Sequence, residues 1–254
     1  MSKAAPADKQ SNSQIPIVIK GLCKDFGENK VLRDFSLKLN KEENLVVLGR
    51  SGSGKSVLIK CIIGLLKPDS GKIIVFGNNV DLLTHHELDM LRTQVGFLFQ
   101  SNALYDSMTV RENLEFPLRR HWFELSQQEV DDMVMEALNN VNLGHTADMM
   151  PAELSGGMAK RIALARTMIL RPKIILYDEP TTGLDPVTAR EIEHLILQLH
   201  IKYKTSSIII SHDMNCVKNT ADRVVLLLNG KCYTEGTFEE LKNSEDENVR
   251  QFFE

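Results

Sequence analysis

The sequence predicts an α/β protein. Its core is a mostly parallel sheet, with an antiparallel β subdomain before it and an α-helical subdomain inserted into it. Three observations carry this. Continuous apolar runs, "NLVVLG" (44–49), "VGFLFQ" (95–100), "KIILYDE" (173–179) and "SSIIISHD" (206–213), recur with helical stretches between several of them, as in a sheet covered on both faces. The stretches at 15–22 and 35–40 alternate instead. Residues from about 101 to 165 hold no strand-like run at all.

In chain order, residues 1–14, "MSKAAPADKQSNSQ", are polar and read as a disordered tail before a folded domain at 15–254. They lack the apolar core of a signal peptide. "IPIVIKGL" alternates Ile15, Ile17 and Ile19, and "FSLKLN" alternates Phe35, Leu37 and Leu39, so both read as half-buried antiparallel strands. "NLVVLG" reads as a buried strand that feeds a glycine-rich loop and the helical pattern "KSVLIKCIIGLL". "KIIVFG" (72–77) reads as a further strand of the covered sheet. Between 101 and 165 the periodicity is helical, with Val130, Met133, Val134, Ala137 and Leu138 on one face. "RVVLLLNGKCYTEG" closes the fold, and its Asn229-Gly230 pair is a hairpin signal.

Composition narrows the function classes. The net charge is −4 and no long Lys/Arg run occurs, so no nucleic-acid partner is expected. No apolar run approaches the roughly 20 residues that cross a bilayer, which places the chain in the cytoplasm. Cys23, Cys61, Cys216 and Cys232 form neither a CxxC pair nor a zinc pattern and read as reduced thiols.

The chemistry is concentrated in a few short segments. "GRSGSGKS" places Gly49, Arg50, Ser51, Gly52, Ser53, Gly54, Lys55 and Ser56 in the G-x-x-x-x-G-K-[ST] pattern. Its glycines let backbone N–H groups wrap a phosphate, Lys55 reaches the β- and γ-phosphates, and Ser56 offers a hydroxyl to Mg²⁺. Asp178 ends an apolar strand, where a Mg²⁺-associated carboxylate is wanted, and Glu179 follows as the candidate base that polarises a water. Gln100 and His212 end two other apolar runs, at the sheet edge where ligands bind in open α/β folds.

"LSGGMAKRIALAR" (154–166) raises a separate question. Ser155, Gly156 and Gly157 open a helix anchored by Met158, Ile162, Ala165 and Ile169. A helix N-terminus favours an anion, yet the nucleotide phosphates already have a loop. Either Ser155 is an ordinary N-cap, or the anion comes from a second copy of the chain.

The ordered set of motifs over residues 16–240 resembles the nucleotide-binding subunits of ABC transporters. "GRSGSGKS" resembles their Walker A motif, "IILYDE" their Walker B and "LSGG" their signature. Gln100 falls at the Q-loop, Asp185 of "GLD" at the D-loop and His212 at the switch histidine. Phe26 falls where the family stacks adenine on an aromatic ring. The resemblance implies a P-loop NTPase (RecA-like) core that hydrolyses ATP with Mg²⁺, held in part by Ser56, Gln100 and Asp178. It also implies a homodimer with each ATP between the Walker A motif of one copy and Ser155, Gly156 and Gly157 of the other.

"LFQSNALYDSMTVRENLEFPLR" (98–119), "MPAELSGGMAKR" (150–161), Met158 and "VRQFF" (249–253) are similar to the Mla-type phospholipid-transport ATPases. That resemblance implies an integral membrane permease, an MCE-type lipid-binding protein, a possible small regulatory subunit, and a place on the cytoplasmic face of the inner membrane. After "VRQFF" neither a longer C-terminal extension nor a separate regulatory domain is expected. The rival readings are an ABC ATPase for another transported substrate and a soluble ABC ATPase of the iron–sulfur-assembly or DNA-repair kind.

Overall fold

The computed structural model describes residues 15–120 and 124–253. The tail expected at 1–14 lies outside the described residues. Among the described residues, ten strands form two sheets. The first sheet holds β1 (Ile17–Phe26), β2 (Asn29–Leu39), β4 (Ser70–Val75) and β5 (Asn78–Asn79), all paired antiparallel. The second has the order β10-β9-β3-β8-β7-β6. It is built from β3 (Asn44–Leu48), β6 (Val95–Leu98), β7 (Ile174–Asp178), β8 (Ser206–Ser211), β9 (Arg223–Leu228) and β10 (Lys231–Gly236). Every pairing there is parallel except the final hairpin, where Asn229 and Gly230 take φ of 52° and 77° as a tight two-residue turn requires.

Strand alternation divides the core between the two faces of this sheet. Leu45 and Val47 of β3, with Leu176 of β7 and Ile208 of β8, face the antiparallel sheet and helix α1 (Lys55–Ile62). Val46 and Leu48, with Tyr177 and Ile209, face the helices. The apolar run "KIIVFG" corrects the sequence reading: it pairs with β1, not with the parallel sheet. Ile73 and Val75 are buried while Ile74 is half-buried, an alternation hidden by the unbroken apolar composition. Ile15 is likewise exposed, while Ile17 and Ile19 are buried.

Helix α2 (His85–Thr93) precedes β6. The inserted lobe contains α3 (Val110–Arg120), α4 (Gln127–Asn140) and α5 (Gly156–Met168). A capping box starts α4: the Ser126 hydroxyl accepts from Glu129 N, and the Glu129 carboxylate accepts from Ser126 N. Val130, Val134, Ala137 and Leu138 are buried, and Met133 packs beside them. Helix α5 runs three residues past the expected lobe and carries the chain back to β7, burying Ile162, Ala165 and Ile169. Two further helices cover the sheet, α6 (Pro186–Tyr203) and α7 (Met214–Thr220). The chain ends on α8 (Phe238–Lys242) and α9 (Glu247–Arg250). Cys23, Cys61, Cys216 and Cys232 are all free thiols. No described helix is long and apolar enough to cross a membrane.

Candidate active site

The order β3-β8-β7-β6 sets four carboxyl-terminal strand ends side by side. The loop 49–54 follows β3, His212 follows β8, Asp178 and Glu179 end and follow β7, and Gln100 lies two residues past β6. Parallel pairing therefore gathers residues far apart in sequence along one edge, at the N-terminus of α1. A pocket there is lined by Phe26, Ser51, Gly52, Gly54, Lys55, Ser56, Gln100, Glu179 and His212, with Val31 and Val57. Phe26, at the end of β1, exposes about half its surface.

The loop geometry depends on glycine at one position above all. Gly54 caps α1 with φ of 104°, and a Cβ there would lie 2.7 Å from Val31 Cγ1. The chain then enters α1 with its first N–H groups free to face an anion. Lys55 is buried, and its ammonium donates to the carbonyls of Gly49 at 2.8 Å and Arg50 at 3.1 Å. Arg50 points the other way. Its guanidinium donates to Gln251 at 3.0 Å and stacks over Phe252, a link to residues 251 and 252 that no motif marks.

The Ser56 hydroxyl donates to Asp178 at 2.9 Å. Burial pushes the Asp178 carboxyl above its ordinary value, the Ser56 hydrogen bond opposes this, and neighbouring Glu179 adds to it. A hydroxyl, a buried carboxylate and the nearby Gln100 amide are hard oxygen donors, a set that fits Mg²⁺.

Glu179 is the most constrained residue of the edge. Its φ is 51°, a left-handed conformation that costs a non-glycine residue about 1–3 kcal/mol. Its N–H donates to Ile210 O at 3.0 Å. Its carboxylate, largely buried, accepts from Thr182 Oγ1 at 3.2 Å, lies 2.8 Å from His212 Nδ1 and lies 3.5 Å from the Lys55 ammonium. Such a carboxylate can take a proton from a water placed between it and a bound phosphate. Thr182 escaped the sequence reading, because nothing in "TTGLD" marks which threonine turns back.

Ser155, Gly156 and Gly157 stand apart, and neither they nor Asp185 line this pocket. Ser155 is the N-cap of α5, accepting from Met158 N at 3.2 Å. Asp185 caps α6, accepting from the N–H groups of Val187 and Thr188 and from the Thr188 hydroxyl, which holds its carboxyl below the usual range. The first turns of α5 and α6 lie against each other: a Cβ on Gly157 would lie 2.6 Å from Thr188 Cγ2.

The family profile described as "ABC transporter" matches residues 32–182. The chain is 40% identical over 238 residues to the "Probable ribonucleotide transport ATP-binding protein mkl" of Mycobacterium leprae, covering 94% of this chain and 68% of that one. It is 38% identical over 236 residues to the "Intermembrane phospholipid transport system ATP-binding protein MlaF" of Haemophilus influenzae, covering 93% and 89%. The dimeric, post-hydrolysis structure of the ATP-binding cassette MJ0796 with ADP and Pi superposes with a TM-score of 0.80 at 30% identity, covering 87% and 98%. Motif order, sheet topology and matched length all converge: this chain belongs to the ATP-hydrolysing subunits of the ABC transporter family.

Proposed function

We propose that this chain powers phospholipid transport through an integral membrane permease and an MCE-type lipid-binding protein, from the cytoplasmic face of the inner membrane. A small regulatory subunit is a candidate further member of the proposed assembly, and no nucleic acid takes part. The observation that carries the lipid reading is the 38% identity that extends over 89% of an MlaF protein. The mycobacterial mkl, of comparable identity but named for ribonucleotide transport, favours a second reading in which the same ATPase serves another substrate.

In the proposed mechanism the loop 49–54 and the Lys55 ammonium bind the ATP phosphates, and Phe26 stacks on the adenine. Ser56, Asp178 and Gln100 would hold Mg²⁺, which would supply neutralisation of phosphate charge. Glu179 accepts the proton of the attacking water. His212, 2.8 Å away, orients that carboxylate. Ser155, Gly156 and Gly157 address the ATP of a second copy. This assignment is supported by their position outside the pocket of their own chain and by the dimeric cassette MJ0796. Closure and opening of that dimer drive the permease.

The test is transfer of labelled phospholipid between the reconstituted complex and its MCE partner, with ATP and either the wild-type or the Lys55→Ala subunit. Transfer with the wild type alone supports the reading. A subunit that purifies with a permease moving only nucleotides, amino acids or sugars establishes the second reading instead.

A further inference from the structure

Lys160 is only 2% exposed, and its ammonium donates to the backbone carbonyl of Gln100 at 3.0 Å. Lysine is almost never buried to this degree unless something demands its charge or its reach. Lys55, the other buried lysine among the described residues, faces phosphates in the proposed mechanism. Lys160 does not line the phosphate pocket. It lies in the second turn of α5, five residues after Ser155, and spans from that helix to the segment leaving β6.

Packing alone does not account for this side chain. Ile162, Ala163 and Ala165 already anchor α5 in the core. An apolar residue of similar length at 160 would fill the same space without desolvating a charge, and such replacements are commonly neutral or stabilising. Arg166 donates to Asn102 O at 3.1 Å and Thr167 to Phe97 O at 3.4 Å, tying the later turns of α5 to β6 and the segment after it; the Lys160 hydrogen bond is the tie that lies near the start of the helix. It joins two places. One is Gln100, beside the phosphate pocket of its own chain. The other is the N-terminus of α5, which carries Ser155, Gly156 and Gly157.

We propose that Lys160 is a positioning residue that fastens α5 to the Gln100 carbonyl, so that the placement of Gln100 in one ATP site sets the placement of Ser155–Gly157 toward the partner's ATP. The link acts on a backbone carbonyl, so it persists whatever the Gln100 amide does. It makes each chain report the state of its own site to the site it shares. This inference rests on the shared-site reading above, and its test separates the two.

The experiment uses the full chain carrying Glu179→Gln, which slows hydrolysis so that ATP-driven dimers accumulate. Dimerisation is followed by light scattering against ATP concentration with Mg²⁺, monomer binding by a fluorescent ATP analogue, and stability by thermal melting. If the Glu179→Gln chain does not dimerise with ATP, the shared-site reading fails. If it does, adding Lys160→Met is expected to leave melting and analogue binding near those of the parent. The ATP concentration for half-maximal dimerisation is expected to rise about tenfold, and Lys160→Arg, which can still donate to the carbonyl, is expected to recover most of it. Dimerisation of the Lys160→Met chain at the parent's ATP concentration overturns the proposal. So does equal impairment in the Met and Arg variants. Should Lys160→Met fail to fold, burial chemistry rather than positioning explains the residue, unless a folded Lys160→Gln chain shows the same selective loss of dimerisation.

Discussion

His212 and Glu179 meet at 2.8 Å across the carboxyl ends of two adjacent parallel strands, the imidazole Nδ1 against carboxylate Oε2. Thirty-three residues separate them in sequence, and the pairing of β7 with β8 closes that gap. Glu179→Gln keeps the shape but removes the proton acceptor, so ATP turnover is expected to fall about 10²–10⁴-fold while nucleotide binding survives. Single-turnover hydrolysis beside equilibrium ATP binding checks this. Near-normal turnover with partners present would remove Glu179 from the role of base.

The proposed sharing of each ATP between two copies makes a pairing prediction. Lys55→Ala damages the phosphate loop, and Ser155→Arg places bulk and charge where a neighbour's phosphate belongs. With both changes on one chain and a wild-type partner, each of the two sites loses one half. With one change on each chain, one site loses both halves and the other stays intact. Occlusion of labelled ATP in tagged heterodimers is therefore expected only when the changes sit on different chains. The opposite pattern returns Ser155 to service within its own chain.

Gly157 and Thr188 supply a packing test. The Cβ of Gly157→Ala would meet Thr188 Cγ2 at 2.6 Å, an overlap of the kind that costs about 1–3 kcal/mol. Thermal melting is expected to fall for Gly157→Ala and to recover when Thr188→Ser removes the offending methyl but keeps the hydroxyl that donates to Asp185. Additive rather than compensating effects would show that the two helix starts do not press on each other.

Acid stability should reflect Glu43. Burial raises its carboxyl, but the Arg223 guanidinium, at 2.7 Å and 3.0 Å, and the Asn40 N–H outweigh that, leaving it lowered below 4.5. A carboxylate lowered in the folded state stabilises fully above its unfolded value and loses that contribution as pH falls through the folded one. Arg223→Met is expected to cost about 2–3 kcal/mol near neutrality, since charged hydrogen bonds are lost and a buried carboxylate is orphaned. The gap from wild type should narrow below pH 4.5 in denaturant titrations. A gap that stays constant down to pH 3 would mean that Glu43 ionisation does not couple to folding.

The parts of the site that the sequence makes legible are those whose chemistry is local. Lys55, Ser56 and the glycines sit within eight residues, and Asp178 and Glu179 are marked by the apolar strand they end. Gln100 and His212 are readable for the same reason, as polar residues closing apolar runs. What escapes is chemistry made by the course of a turn or by long-range packing. Thr182 reaches Glu179 through a turn that any threonine in the segment could have made. Lys160 carries no mark of its own in the sequence, and its burial follows only from the packing of α5 against the segment after β6. The misplacement of "KIIVFG" has a related cause, for an apolar run states that a strand is covered but not which sheet it joins.

The Ser155 hydroxyl accepts the Met158 N–H at 3.2 Å, and that leaves its own proton uncommitted. One oxygen can thus receive from the helix behind it and give to whatever stands in front. Aspartate would cap the same turn equally well, but it has no proton to offer and would set a negative charge against phosphate. Alanine would leave the helix start without its acceptor. Among capping residues, a hydroxyl is the chemistry that can face both ways at once, so the residue that begins the helix can also greet a nucleotide held by another chain.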